Sequence, residues 1–180
     1  MKIAVFLDRD GVINKSRVVE GVPLPPKDLS EVEILPGVRE AIKLFQGCNL
    51  EVVVVTNQPD VARGSSTQES IEAINRYLGN ELQINHFYSC FHDDPDGCEC
   101  RKPKPGLLWK AALDLKLDAR ESFMVGDRWR DIAAGQAADC KCFFIDYGYK
   151  EKSPIQPYRL VSSLIEAAKI IVEEINDNNG

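Results

Sequence analysis

Hydrophobic residues occur along this chain in two kinds of segment. Short continuous runs rich in Val, Ile and Phe, typical of buried parallel strands, lie at residues 2–7, 50–55, 86–88, 122–125 and 141–145. Apolar positions three and four apart, typical of amphipathic helices, lie at residues 36–45, 67–82, 107–117 and 162–174. The alternation of five strands with helices predicts an α/β fold with a doubly wound parallel sheet.

Polar side chains follow three of the predicted strands at the point where each strand ends. Asp8 and Asp10 follow the first strand, Thr56 and Asn57 follow the second, and Asp127 follows the fourth. Ligands of doubly wound sheets bind beyond the carboxyl ends of the strands. We therefore expect these side chains to gather at one edge of the sheet and to carry the chemistry of the protein.

Length and charge limit the class of protein. The chain has 180 residues, 44% of them hydrophobic, so we expect a single domain over residues 1–180, with no room for a large cap domain. Its 22 Lys and Arg against 28 Asp and Glu give a net charge of −6, which argues against a nucleic-acid partner. No apolar run approaches the roughly 20 residues of a membrane span, and no signal peptide is recognisable. We therefore expect a cytoplasmic protein without a membrane partner, and a monomer.

The acidic residues at the strand ends suit a metal ion. Two aspartates separated by one residue after a buried strand need a cation or a proton to compensate their charge. Mg²⁺ prefers oxygen ligands and is usually held by one or two carboxylates together with substrate phosphate oxygens. Asp8, Asp10 and Asp127 are therefore candidate Mg²⁺ ligands. Taken alone, the pair also fits an ordinary turn. Asp131 either supports this site or is a favourable charge at a helix N-terminus.

Three cysteines and one histidine lie close together, at Cys90, His92, Cys98 and Cys100. Their types and spacing favour a structural Zn²⁺ site, in which no coordination position is left for a substrate. A cluster of buried or reactive cysteines is the alternative. Zn²⁺ in the loop at residues 90–100 would rigidify the segment that presents Lys102.

The remaining cysteines are expected in the core. Cys48 follows a predicted helix, and Cys140 and Cys142 flank the start of the fifth strand, where thiols pack as small apolar groups. Trp109, on a predicted helix, is expected in the core as well.

Four segments, in order, resemble the four motifs of the haloacid dehalogenase (HAD) superfamily of phosphotransferases: residues 8–12 (DRDGV), 56–58 (TNQ), 101–106 (RKPKPG) and 126–131 (GDRWRD). The resemblance implies a HAD-like Rossmann-type fold and a Mg²⁺-dependent hydrolase of phosphoric monoesters. It implies that Asp8 is the nucleophile that accepts the phosphoryl group and that Asp10 is the general acid and base. Thr56 and Lys102 would hold the phosphoryl oxygens.

The Cys/His segment narrows the resemblance to the HAD branch of heptose bisphosphate and histidinol-phosphate phosphatases. Residues 56–64 (TNQPDVARG) are similar to the pattern TNQSG[IV][AG]RG of the heptose enzymes. The resemblance implies removal of the 7-phosphate of D-glycero-D-manno-heptose 1,7-bisphosphate, a step of lipopolysaccharide or nucleotide-heptose biosynthesis. Asn57, Arg101, Arg128 and a proline-rich loop at about residues 15–30 would contact the substrate. The nearest alternative is a histidinol-phosphate phosphatase, and the alternative of another class is a non-catalytic zinc-bearing binding module.

Overall fold

The computed structural model describes residues 1–179, and their side chains up to residue 177. The described residues form the strands β1 (Ala4–Leu7), β2 (Arg17–Val19), β3 (Val22–Leu24), β4 (Glu51–Asn57), β5 (His86–Cys90), β6 (Phe123–Gly126), β7 (Lys141–Ile145) and β8 (Arg159–Val161). Six of them form one parallel sheet in the order β5-β4-β1-β6-β7-β8. The five predicted strands all lie in this sheet, which confirms the doubly wound α/β fold; β8 is an additional edge strand.

Within residues 1–179, five α-helices cover the two faces of the sheet: α1 (Val38–Gly47), α2 (Gln68–Leu82), α3 (Gly106–Leu115), α4 (Trp129–Ala137) and α5 (Leu164–Asn179). The core has two parts because successive side chains of a strand point to opposite faces. In β1, Val5 and Leu7 belong to the part formed with α1, α2 and α5, whereas Ala4 and Phe6 belong to the part formed with α3 and α4. No helix of the described residues is both long and apolar enough to cross a membrane.

The topology places the predicted functional residues at one edge of the sheet. The chain runs from β1 outward through β4 to β5, then returns to the other side of β1 and continues from β6 to β8. Such a reversal of strand order opens a crevice at the carboxyl ends of the strands. Asp8 directly follows β1, Asp127 directly follows β6, and Thr56 and Asn57 end β4. These side chains therefore border one crevice, as expected.

The segment at residues 15–30 is more ordered than the loop that was expected there. It contains an antiparallel hairpin of β2 and β3, in which Val19 pairs with Val22. The two residues between them, Glu20 and Gly21, have φ angles of +52° and +85°. Positive φ at both positions is typical of the tight turns that join two strands of a hairpin. The proline content of the segment concealed this hairpin in the sequence.

One expectation about the core is wrong. Trp109 is 56% exposed, because it lies on the outer side of α3, whose inner side carries the buried residues Leu108 and Ala111. Cys140 and Cys142 are buried in the core, as expected, whereas Cys48 is only partly buried and packs against the core.

Candidate functional site

Lys102 occupies the centre of the crevice. Its side chain is 2% exposed, and its ammonium group lies 2.8 Å from Asp8 Oδ1 and 2.7 Å from Asp131 Oδ1. It also donates to the carbonyl of Val55 at 2.7 Å. Burial alone would lower the pKa of Lys102, but attraction by Asp131 and Asp8 outweighs burial and raises that pKa. Lys102 is therefore a charged cation whose three donors are all directed at acceptors.

Three carboxylates lie close together here, and two of them, Asp8 and Asp131, contact Lys102. Asp8, Asp127 and Asp131 each offer an oxygen within 4.8 Å of the others, and all three are buried. Burial, followed by repulsion from Asp131, raises the pKa of Asp8 to about 6. Burial and repulsion from Asp8 also raise the pKa of Asp127, whose Oδ1 has no hydrogen-bond partner among the described residues. Because Lys102 offsets a single negative charge, the cluster fits a hard divalent cation held by Asp8 and Asp127.

Asp131 supports Lys102 and also caps a helix. Its Oδ1 faces Lys102, and its Oδ2 accepts a hydrogen bond of 2.9 Å from the main-chain N–H of Arg128, at the start of α4. Asp131 therefore makes both kinds of contact that the sequence suggested: it supports the carboxylate site through Lys102, and it lies at the N-terminus of a helix. Its close approach requires glycine at position 126, since a Cβ there would lie 2.1 Å from the Cβ of Asp131.

The carboxylate of Asp10 is held by other side chains and does not belong to the three-carboxylate cluster. The fully buried Arg9 donates to its two oxygens at 3.2 and 3.1 Å. Asn14 donates to Oδ1 at 2.9 Å, and Gln58 donates to Oδ2 at 2.7 Å. Gln58 also donates to Thr56 Oγ1 at 2.9 Å. Gln58 therefore connects Asp10 with Thr56, both of which are expected to act on the phosphoryl group. Metal ligation by Asp10 stays a prediction.

A cavity of about 270 Å³ lies over Asp8 and Lys102. Residues 22–25 of the hairpin segment line it, together with three predicted substrate-binding residues, Asn57, Arg101 and Arg128. The side-chain amide of Asn57 donates to the carbonyl of Lys102 at 2.9 Å and accepts from its main-chain N–H at 3.0 Å. Asn57 thus fixes the main chain of Lys102, and substrate binding by these three residues stays a prediction.

The four residues of the predicted zinc loop come together in space. One ligand atom from each of Cys90, His92, Cys98 and Cys100 lies within 4.8 Å of the others. The Sγ atoms of Cys90 and Cys100 are 3.1 Å apart, and His92 Nδ1 is 3.3 Å from Cys100 Sγ. Burial raises the pKa of both of these thiols, which leaves them protonated until a cation binds their thiolate forms. Three sulfur atoms and one nitrogen atom that converge in this way fit a closed metal site.

Two aspartates of the same loop hold arginines at the wall of the cavity. Asp93 accepts two hydrogen bonds from Arg63, at 2.6 and 2.8 Å. Asp94 accepts from Arg101 at 2.8 Å and from Arg130 at 3.0 and 3.1 Å. The bond from Arg63 lowers the pKa of Asp93 to about 2, and the bond from Arg101 lowers the pKa of Asp94. The Cys/His loop therefore determines where these basic side chains lie.

Sequence reasoning missed several residues that hold the predicted ones. Arg9 lies between the two aspartates of the first motif. Because successive side chains of an extended chain point to opposite sides, the sequence suggests that Arg9 points away from both aspartates. Its guanidinium instead reaches the carboxylate of Asp10. Tyr149 donates a hydrogen bond of 2.9 Å to Asp127 Oδ2 from a position 22 residues further along the chain. No local pattern indicates a contact over that separation.

Comparison with known proteins identifies a family. Residues 99–167 match the family model described as HAD-hydrolase-like. The chain is 33% identical over 144 residues to a D-glycero-beta-D-manno-heptose-1,7-bisphosphate 7-phosphatase from Helicobacter pylori, covering 77% of this chain and 80% of that protein. It is 31% identical over 185 residues to a D-glycero-alpha-D-manno-heptose-1,7-bisphosphate 7-phosphatase from Photorhabdus laumondii, covering 95% and 97% of the two chains.

A solved structure shares the whole fold. The D,D-heptose 1,7-bisphosphate phosphatase from B. bronchiseptica, crystallised with magnesium and phosphate, is similar with a TM-score of 0.84 and 29% identity. The match covers 97% of this chain and 99% of that one. These similarities confirm the resemblance that the four motifs indicated. Because relatives above 30% identity are matched over most of their length, the chain belongs to the HAD-like hydrolase family, in which these relatives are phosphatases.

Proposed function

We propose that the protein is a Mg²⁺-dependent phosphatase that removes the 7-phosphate of D-glycero-D-manno-heptose 1,7-bisphosphate, with the phosphoryl group carried transiently on Asp8. The observation that carries the proposal is the buried cluster in which Lys102 offsets one of three negative charges. A charged donor beside clustered carboxylates, at the carboxyl edge of the sheet, suits a phosphoryl group that is bound together with a hard cation. The names of the relatives support the choice of sugar.

Asp8 and Asp127 would hold Mg²⁺, and Asp10 is the third predicted ligand. The fit rests on the proximity of the buried oxygens and on Asp127 Oδ1, which lacks a partner within residues 1–179. When bound, the cation would offset the charge of the carboxylates and of the phosphoryl oxygens. Magnesium in the related crystal structure supports this assignment.

Asp8 is the nucleophile in this mechanism. Its carboxylate forms a bond to phosphorus in line with the ester oxygen, while the bond between phosphorus and that oxygen breaks. Lys102, 2.8 Å from Asp8 Oδ1, fixes the orientation of the nucleophile and stabilises negative charge on the phosphoryl oxygens. Thr56 Oγ1 accepts a hydrogen bond from Gln58, so its own proton remains available for a phosphoryl oxygen.

Asp10 is the general acid and base. It gives a proton to the departing sugar oxygen, and it then takes a proton from the water that attacks phosphorus and frees the phosphate from Asp8. The two carboxylates need different surroundings for these different tasks. Asp8 is paired with Lys102, whereas Asp10 is hydrogen-bonded to Arg9, Asn14 and Gln58.

The walls of the cavity would recognise the sugar. Arg101 and Arg128 line it and carry the positive charge that a phosphorylated substrate requires, and the hairpin of β2 and β3 supplies an apolar side. Asn57 would act through the main chain of Lys102, to which it is doubly hydrogen-bonded.

The Cys/His loop would hold a structural Zn²⁺ through Cys90, His92, Cys98 and Cys100. Its task would be to keep the neighbouring acidic turn in place, and with it the arginines of the cavity wall. A cytoplasmic location, a monomeric state and the absence of a nucleic-acid partner stay predictions.

A phosphate-release assay tests the proposal. Purified protein is given both anomers of the heptose bisphosphate, histidinol phosphate and simple sugar phosphates, each with Mg²⁺ and with EDTA. We expect Mg²⁺-dependent release that is fastest with a heptose bisphosphate, and its loss in Asp8→Asn. Asp114→Asn is the matched control, because Asp114 is an aspartate on α3 whose partners are Lys110 and Tyr88, outside the carboxylate cluster.

Three outcomes would contradict the proposal. Full turnover in Asp8→Asn would exclude this residue as the nucleophile. A preference for histidinol phosphate would favour the alternative function, that of a histidinol-phosphate phosphatase. Binding of sugar phosphates without any turnover by the wild-type protein would favour a non-catalytic binding module.

A further inference from the structure

Asp127 is held by a tyrosine from a distant part of the chain. Tyr149 lies in the segment that follows β7, and its hydroxyl donates to Asp127 Oδ2 at 2.9 Å. The other oxygen, Oδ1, is buried and lacks a hydrogen-bond partner in the part of the chain that the structure describes. The two oxygens of one carboxylate therefore have different surroundings, and the tyrosine occupies one of them.

The main chain of Gly11 confines Oδ2 of Asp127, the oxygen bound by Tyr149, from another side. A Cβ on Gly11 would lie 1.9 Å from Asp127 Oδ2 and 3.2 Å from Oδ1, so the carboxylate packs directly on this glycine. Gly11 is itself held, because the hydroxyl of Tyr147 donates to its carbonyl at 2.9 Å. The rings of Tyr147 and Tyr149 lie 5.6 Å apart between centroids. Rotation of the Asp127 carboxylate would break the hydrogen bond from Tyr149.

The segment that carries Tyr149 is fixed on both sides of it. On one side, the main-chain N–H of Gly148 donates to Asp146 Oδ1 at 2.8 Å. On the other, Lys150 donates its main-chain N–H to the carbonyl of Gly21 at 2.9 Å, which ties the segment to the hairpin of β2 and β3. The next residue, Glu151, accepts from Arg128 Nε at 2.7 Å. The hydroxyl of Tyr149 is therefore held at a defined position beside Asp127.

We propose that Tyr149 is a positioning residue for Asp127, holding Oδ2 so that Oδ1 stays free to bind the divalent cation. The inference rests on the proposed function, because it requires Asp127 to be a metal ligand. Loss of a hydrogen-bonding partner behind a ligating group typically weakens metal binding about 10- to 100-fold. The same loss is expected here if the hydroxyl of Tyr149 is removed.

Mn²⁺ binding to the zinc-loaded protein, without substrate, tests the inference. Tyr149→Phe removes the hydroxyl and keeps the ring. Tyr88→Phe is the matched control, because the Tyr88 hydroxyl also donates to an aspartate, Asp114, at 3.2 Å, but outside the carboxylate cluster. Free Mn²⁺ is measured from its electron paramagnetic resonance signal. We expect about 10- to 100-fold weaker binding in Tyr149→Phe and unchanged binding in Tyr88→Phe. Both variants, in the zinc-loaded form, should keep the wild-type Tm in a parallel experiment without added Mn²⁺.

The outcomes separate this inference from the function on which it rests. Wild-type Mn²⁺ affinity in Tyr149→Phe would overturn the role of the tyrosine and leave the proposed function standing. A loss of affinity that appears only together with a lower Tm of the zinc-loaded protein without Mn²⁺ would overturn it as well, since the residue would then act on folding. A wild-type protein that binds no Mn²⁺ would overturn the metal site and the inference together.

Discussion

Removal of the Lys102 ammonium group tests the electrostatic reasoning about the carboxylate cluster. Lys102→Met keeps most of the buried stem and deletes the cation that lies 2.8 Å from Asp8 and 2.7 Å from Asp131. Three buried carboxylates would then repel one another without this compensating charge. Breaking a buried ion pair by removing one partner costs about 3 to 5 kcal/mol, and we expect a loss of that size in the free energy of unfolding in EDTA. At about 2 to 4 °C per kcal/mol for a chain of this size, Tm should fall by about 6 to 20 °C.

Urea unfolding near neutral pH in EDTA, followed by tryptophan fluorescence, measures the effect. Lys104→Met is the matched control, because Lys104 forms an exposed ion pair with Glu99 at 2.7 Å. Such pairs contribute about 0 to 1 kcal/mol. Adding Asp131→Asn to Lys102→Met should restore part of the lost stability, because it removes one of the uncompensated charges. The reasoning would be refuted if the free energy of unfolding of Lys102→Met lay within about 1 kcal/mol of that of the Lys104→Met control.

Four further predictions concern pH (two of them), zinc and the core thiols. Because burial raises the pKa of Asp8 to about 6, Mg²⁺ binding measured by calorimetry should weaken as the pH falls through about 6; a constant affinity would contradict this. The same shift means that the folded metal-free protein binds the extra proton, so its urea midpoint should rise, not fall, as the pH drops from about 6 towards 3.8. Cys98→Ser should lower both the zinc content and the phosphatase activity, while Cys48→Ser should change neither; unchanged zinc in Cys98→Ser would remove the zinc assignment. Burial raises the pKa of Cys140 and of Cys142 to about 12, so a thiol-specific disulfide reagent should label them only after unfolding, and rapid labelling of the native protein at neutral pH would be the contrary result.

The predicted elements agree with the structure where the pattern is local and strong. The β-branched run at residues 52–55 became the buried centre of β4, and its side chains alternate between the two parts of the core. The hairpin of β2 and β3 was missed because proline and exposed valine interrupt the alternation that a half-buried strand usually shows. Trp109 was misplaced because helical spacing shows which residues share a side of a helix, whereas packing decides which side faces the sheet.

The sequence by itself determined which chemistry is available, since carboxylates, thiols and an imidazole at strand ends and in one short loop limit the ligands that can be bound. It also determined the parallel sheet, because helix and strand periodicity depend on neighbours a few residues apart. Only the tertiary structure decided how the polar groups are shared: Asp10 is bound by Arg9, Asp131 holds Lys102, and Asp127 is held by Tyr149. The physical reason is that a buried polar atom takes its partner from whatever packing brings within about 3 Å, and most of these partners are far away along the chain.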